Sequence, residues 1–235
     1  MPDALMLLSG GLDSVTALAW ALSERFTVLG ALSFDYGQRH AREVAAAEAV
    51  ATYYGVPHQI LTLTPIRGSR LTDLGNIPQG RDLSALTETV APTYVPNRNL
   101  ILISYAAAYA LLGSATHLVG GWNGADALNY PDCREPFLAA AEQTLRLATE
   151  REFTIARPLI ADDKAAIVRR AIALSAPIHL TWTCYLGGER ACGTCDACQL
   201  RVGAFRQVGI ADPIPYAVAI DWSGCAPYHQ PEDRY

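Results

Sequence analysis

The sequence predicts an α/β fold: a doubly wound parallel sheet with a small cysteine-rich lobe toward its C-terminal end. Three observations carry that expectation. Short apolar runs alternate with segments of helical period, a glycine turn joins the first run to the first helix, and four cysteines crowd into residues 184–198. Strands that alternate with helices pair in parallel, because each helix carries the chain back across the sheet before the next strand begins.

Ala4 to Leu8 is an unbroken apolar run suited to a strand buried on both faces, and Val15, Leu18, Ala19 and Leu22 follow at helical spacing. A second run, Thr27 to Phe34, precedes Arg39 to Tyr54, where Val44, Ala47, Glu48 and Ala51 recur with helical period until Gly55-Val56-Pro57 ends the helix. His58 to Leu63 reads as a third strand, Asn99 to Leu112 as a helix, and Thr116 to Gly121 as a fourth strand. The stretch from Arg67 to Pro96, rich in Gly, Pro, Asp, Asn and Thr, is long for a plain loop and predicts either a functional excursion or a short hidden element, part of it mobile. Glu135 to Arg151, Asp162 to Leu174 and Asp196 to Gln207 complete the helices. The expected division is an α/β domain at 1–178 and a lobe with its tail at 179–235.

With 51% hydrophobic and 17% charged residues, the 235-residue chain can bury a core without covalent staples. A net charge of -5 argues against nucleic acid as the main partner, since that affinity comes from clustered Lys and Arg. The apolar start is too short for a secretory signal, and Leu100 to Leu112 falls short of the roughly 20 residues that span a bilayer. A cytoplasmic protein without membrane contact is expected.

The turn Leu8-Ser9-Gly10-Gly11-Leu12-Asp13-Ser14 opens a helix, so its N–H groups and the helix dipole converge where a phosphate fits. No Gly-Lys-Ser/Thr follows, which excludes a Walker loop. Asp13 inside the loop makes sense beside phosphates when Mg²⁺ mediates. The competing reading is a plain strand-to-helix turn with a capping side chain. Ser-Gly-Gly-x-Asp-Ser after an N-terminal buried strand resembles the PP-loop ATP pyrophosphatases. That resemblance implies ATP as the bound nucleotide and adenylation of a substrate oxygen.

Cys184, Cys192, Cys195 and Cys198 suit Zn²⁺, which takes four tetrahedral thiolates in closed structural sites. Disulfides are awkward for a Cys-x-x-Cys-x-x-Cys run, and an iron–sulfur cluster is the metal alternative. Cys225 in the tail reads as incidental, whereas Cys133 lies in a polar loop that could line a site, although a lone cysteine is more often inert than nucleophilic.

Taken together, the loop, Phe34-Asp35-Tyr36-Gly37-Gln38-Arg39-His40, Val95-Pro96-Asn97-Arg98-Asn99, Tyr130-Pro131-Asp132-Cys133-Arg134 and the four-cysteine lobe resemble the 7-cyano-7-deazaguanine synthases of the queuosine pathway over nearly the whole chain. The resemblance implies a nitrile made from 7-carboxy-7-deazaguanine and ammonia at the expense of ATP, in a homodimer. Loss of both carboxylate oxygens requires two activations with an amide between them. Arg39, Arg98 and Lys164 are then candidates to neutralise phosphate or carboxylate, beside Asp13. Asp126 and Asp132 are candidates for the guanine-like edge, and Gln38, Asn99, Gly121 and Tyr130 complete the expected substrate contacts.

Three places depart from the family pattern. Leu128-Asn129 replaces Ser-Gly, Asn97 stands where glycine is common, and Asp163 stands where threonine is common. They raise the alternative of a paralogue that joins the activated acid to another amine and stops at an amide. A zinc module that binds nucleotide without turnover is the non-enzymatic alternative. A tRNA-thiolating relative needs a basic surface and a catalytic cysteine pair that this chain does not clearly supply.

Overall fold

The computed structural model describes residues 1–38, 42–73, 76–82 and 90–229. Five parallel strands form one sheet: β1 (Asp3–Leu7), β2 (Thr27–Asp35), β3 (His58–Thr62), β4 (His117–Val119) and β5 (Thr154–Ala156), in the order β3-β2-β1-β4-β5. Helices α1 (Leu12–Ser23), α2 (Arg42–Tyr53), α3 (Arg98–Leu112), α4 (Gly124–Ala127), α5 (Glu135–Thr149), α6 (Lys164–Ala173) and α7 (Asp196–Val208) connect and cover it.

The apolar runs are strands because they serve two cores at once. Ala4 and Met6 of β1 pack among α1, α2, α6 and α7, while Leu5 and Leu7 point into the opposite layer with α3 and α5. Ala31 and Val119 follow the first set, and Leu32, Phe34, Leu118 and Ile155 the second. The doubly wound sheet is therefore the expected one. Each predicted helix is present with its ends within about three residues, α2 being described only from Arg42. β5 and α4, at three and four residues, are additions too short to show a period.

The chain winds from β1 outward to β3, then crosses back so that β4 lies against the other side of β1. The carboxyl ends of β1 and β4 thus flank a topological switch point, where open α/β sheets leave a crevice. The glycine loop and Gly120-Gly121 emerge there. In the described parts of 67–96 there is neither helix nor strand. Residues 76–82 are instead clasped by the cysteine lobe: Gln79 bridges Cys195, the Gly80 N–H donates to Thr194 O at 2.8 Å, and Arg81 pairs with Asp196.

The lobe gathers its cysteines with Trp182, Ala191 and Ile214, and takes in Ala46 of α2 and Ile77. Helix α7 continues into the main core through Ala204 and Phe205. A buried Arg201–Asp212 pair, with Thr181 Oγ1 at 2.8 Å and Thr183 Oγ1 at 3.0 Å from Arg201, ties α7 to the chain on either side of the lobe. No helix among the described residues is long and apolar enough to cross a membrane.

Candidate active site

The loop at Ser9 is held open by its own hydroxyls. Ser14 Oγ donates to Gly11 O at 3.0 Å and accepts from the Ser9 N–H at 3.2 Å, so Ser14 ties both ends of the turn to the first turn of α1. Gly11 caps α1 without a side-chain bond, which leaves the first helical N–H groups for a ligand. Gly10 has φ +81, and a β-carbon there would lie 2.3 Å from Glu43 O. Gly121 is constrained from the other side: its β-carbon would come within 2.7 Å of Ser14 N. Glycine at these two positions lets α2 and the β4 loop press against the turn.

Asp13 points into the crevice, where Lys164 Nζ donates to it at 2.8 Å and Asn123 Nδ2 at 3.1 Å. The same two residues serve Asp126, Lys164 at 3.0 Å and Asn123 at 2.9 Å. Burial raises the pKa of Asp13, against the pull of Lys164. For Lys164 burial works toward the neutral amine, but Asp126 and Asp13 outweigh it and hold the ammonium charged. The α6 N-terminus places Lys164, and Asp163 Oδ1 caps that helix by accepting from Ala166 N at 2.7 Å.

Arg98, on the first turn of α3, faces the same cleft and donates to Tyr36 OH at 3.1 Å. It has no ion pair with any described carboxylate, which leaves its guanidinium for an anionic ligand.

Most of the expected residues meet in one cleft: Leu8, Ser9, Gly11, Leu12, Asp13 and Ser14 line it from the loop. Gln38, Arg98, Asn99, Gly121, Asp126 and Lys164 line its other walls. Gln38 is bound to its own turn, through Tyr36 N at 2.8 Å and Phe34 O at 2.9 Å. Asn99 is a knot in the wall, accepting from Trp122 Nε1 at 3.1 Å and donating to Cys133 Sγ at 3.4 Å.

Three residues stand elsewhere. Gly10 lies behind the loop, Tyr130 OH bonds Thr93 Oγ1 at 2.6 Å, and Asp132 is buried outside the cleft with Oδ2 accepting from Asn99 N at 3.0 Å. Arg39 lies outside the described residues. Burial drives the Cys133 thiol far up, in keeping with an inert side chain.

Glu43, Trp182, Tyr185 and Arg201 also line the cleft, and of these Trp182, Tyr185 and Arg201 carry no signal in the sequence. Glu43 alone had a cue, an acid on the first turn of a helix that follows a strand's carboxyl end.

The family departures cost little backbone. Asn97 sits at φ 54 and ψ 18, the left-handed region where glycine is at ease and asparagine is the best-tolerated substitute. Asp163 caps α6 as a threonine would. Leu128 projects outward, 57% exposed, and narrows nothing.

The four cysteine sulfurs lie within 4.8 Å of one another, and Cys192 Sγ is 3.8 Å from Cys198 Sγ. A tetrahedral ion with bonds of about 2.3 Å sets its sulfurs roughly 3.8 Å apart, so the donor set fits a closed four-thiolate metal site. Backbone N–H groups of Leu186 and Cys192 point at Cys184 Sγ, at 3.4 and 3.3 Å, and those of Thr194 and Cys195 at Cys192 Sγ, at 3.4 and 3.2 Å. Such donors orient thiolate ligands. Among the described residues this is the one cluster of that kind.

A family model described as "Queuosine biosynthesis protein QueC" matches residues 3–209. The 7-cyano-7-deazaguanine synthase of Thermoplasma volcanium is 46% identical over 220 residues, 91% of this chain and 90% of that protein. That of Thermosynechococcus vestitus is 46% identical over 225 residues, 92% of this chain and 96% of its own length. That of Acetivibrio thermocellus is 43% identical over 223 residues, with 92% and 98% covered.

Proposed function

The chain belongs to the queuosine biosynthesis protein QueC family, and from that premise we propose that it is an ATP-dependent 7-cyano-7-deazaguanine synthase. It converts 7-carboxy-7-deazaguanine and ammonia to the nitrile through an amide. The observation that carries the reading is that a glycine loop at a helix N-terminus, a fixed Lys164 and an Arg98 without an ion pair to any described carboxylate line one cleft at the sheet's switch point.

Each residue has a task in this reading. The Ser9–Ser14 loop offers N–H and hydroxyl donors to the triphosphate of ATP. Asp13 and Asp126 are the oxygen donors for Mg²⁺, which when bound neutralises phosphate charge. Lys164 supplies positive charge where the departing phosphate oxygen becomes anionic, held in place beforehand by the two carboxylates. Arg98 holds the substrate carboxylate against the nucleotide, and Arg39 is its companion. Activation turns one oxygen into a leaving group; ammonia adds, that oxygen departs, and the amide forms. A second activation on the amide oxygen, followed by departure of that oxygen with its phosphorus and loss of both protons from nitrogen, gives the nitrile.

Zn²⁺ in the four-cysteine site is structural. It fixes the lobe that contributes Trp182, Thr183 and Tyr185 to the cleft wall. Residues 1–178 form the nucleotide-binding domain and 179–235 the zinc-binding lobe and tail of a cytoplasmic homodimer, whose mass sedimentation equilibrium checks. Incubation with ATP, Mg²⁺, 7-carboxy-7-deazaguanine and ammonia, read by mass spectrometry, tests the function. The nitrile is expected, and an amide that accumulates without nitrile refutes it.

A further inference from the structure

Three carboxylates line the cleft among the described residues: Asp13, Asp126 and Glu43. Two are occupied. Asp13 and Asp126 share Lys164 and Asn123 and are the oxygens assigned above to Mg²⁺. Asp132 is turned to the backbone of α3 and does not reach the cleft.

Glu43 stands apart from these. It sits on the first turn of α2, and that turn is fixed against the loop by the close approach of its carbonyl to Gly10. Glu43 lines the cleft, its carboxyl is within the electrostatic reach of Arg98, and it makes no hydrogen bond and no ion pair with any described residue. Burial lifts its pKa to about 7, with Arg98 pulling the other way. Drawing a carboxylate from water is costly, and a ligand that presents two N–H groups side by side offsets that cost.

We propose that Glu43 is the specificity residue that reads the donor edge of the deazapurine, accepting from its ring N–H and exocyclic amine together. The inference rests on the substrate proposed above. The adenine ring of ATP presents a donor beside an acceptor and does not satisfy a carboxylate in this way, so Glu43 separates the two purine-like ligands that must share the cleft. Arg98, which lines the same cleft, is left for the acid group of the same molecule.

The test compares 7-carboxy-7-deazaguanine with the analogue that lacks the exocyclic amine, in wild type, Glu43→Gln and Glu43→Asp, by calorimetric Kd and by KM, with ATP affinity and Tm measured alongside. Wild type is expected to prefer the amine-bearing compound by about 10- to 100-fold. Glu43→Gln, which puts a donor where an acceptor is needed, should bind it weaker by a similar factor and lose the preference, with ATP affinity and Tm held. Glu43→Asp should bind more weakly than wild type yet keep the preference. Wild-type affinity and preference in Glu43→Gln overturn the inference, as does an equal loss of ATP and substrate affinity. If wild type neither binds nor converts the deazaguanine acid, the functional reading itself fails and takes this inference with it. If wild type converts it and Glu43→Gln is unchanged, only this inference fails.

Discussion

Replacing Lys164 with methionine tests the electrostatics of the cleft in a way that can be worked out in advance. The lysine stands 2.8 Å from Asp13 and 3.0 Å from Asp126, with side-chain exposures of 18%, 24% and 31% for Lys164, Asp13 and Asp126. Removing one partner from a fully buried pair costs about 3–5 kcal/mol. Partial solvent access screens these charges, so about 2 kcal/mol is expected at pH 8. In a chain of this size that corresponds to a fall in Tm of roughly 4–8 °C.

The pH dependence has a definite sign. Asp13 already titrates above its ordinary value of 3.8, so the stability linked to it is present at low pH and lost as pH rises through the folded value. Without Lys164 that upward shift grows, because burial and Asp126 are then opposed only by the smaller pull of Arg201. Lys164 itself, whose pKa is raised above 10.5, contributes a constant amount between pH 5 and 8. The variant's deficit should therefore shrink on acidification, as Asp13 takes up its proton. Calorimetric Tm across pH 4.5–8 reads this directly, and a deficit that is equal at both ends refutes the arrangement.

Gly10→Ala combines a left-handed φ with a contact of 2.3 Å to Glu43 O; a loss of roughly 2–5 kcal/mol and much weaker ATP binding are expected in urea unfolding and nucleotide titration. Cys195→Ser should lower bound zinc from one equivalent per chain, measured by elemental analysis. Strong chelators acting on the unmutated protein should shift the fluorescence of Trp182, whose indole donates to Cys184 O at 3.1 Å. Arg201→Met breaks a pair whose side chains are 2% and 0% exposed and should cost about 3–5 kcal/mol in urea, while Arg201→Met with Asp212→Leu should recover part of that loss.

The sheet was legible because its strands are buried on both faces. Ala4 and Met6 serve one core and Leu5 and Leu7 the other, so the run had to be unbroken, and strands without alternation imply a covered parallel sheet. Short elements left no such trace, as β5 and α4 show. At the site, local clusters were readable: the loop is six consecutive residues and the metal ligands lie within fifteen positions. Pairings across the fold were not. Lys164 meets Asp13 from 151 positions away, and nothing in the spacing of either residue signals Asn123 between the two carboxylates. Glu43 was read only as part of a helix, since spacing alone does not show that it lines the cleft. Asn97 illustrates the reverse case: a departure that looked disruptive in sequence keeps a glycine-like backbone at φ 54.

The claim that matters most is that the loop at Ser9 grips a triphosphate so that substrate oxygens leave attached to phosphorus. Substrate labelled with ¹⁸O in both carboxylate oxygens, turned over with ATP and ammonia, reads it by mass spectrometry of the nucleotide and phosphate products. Both labels should appear on phosphorus, one for each ATP consumed and two for each nitrile formed. Labels recovered in water, with none on phosphorus, would contradict it.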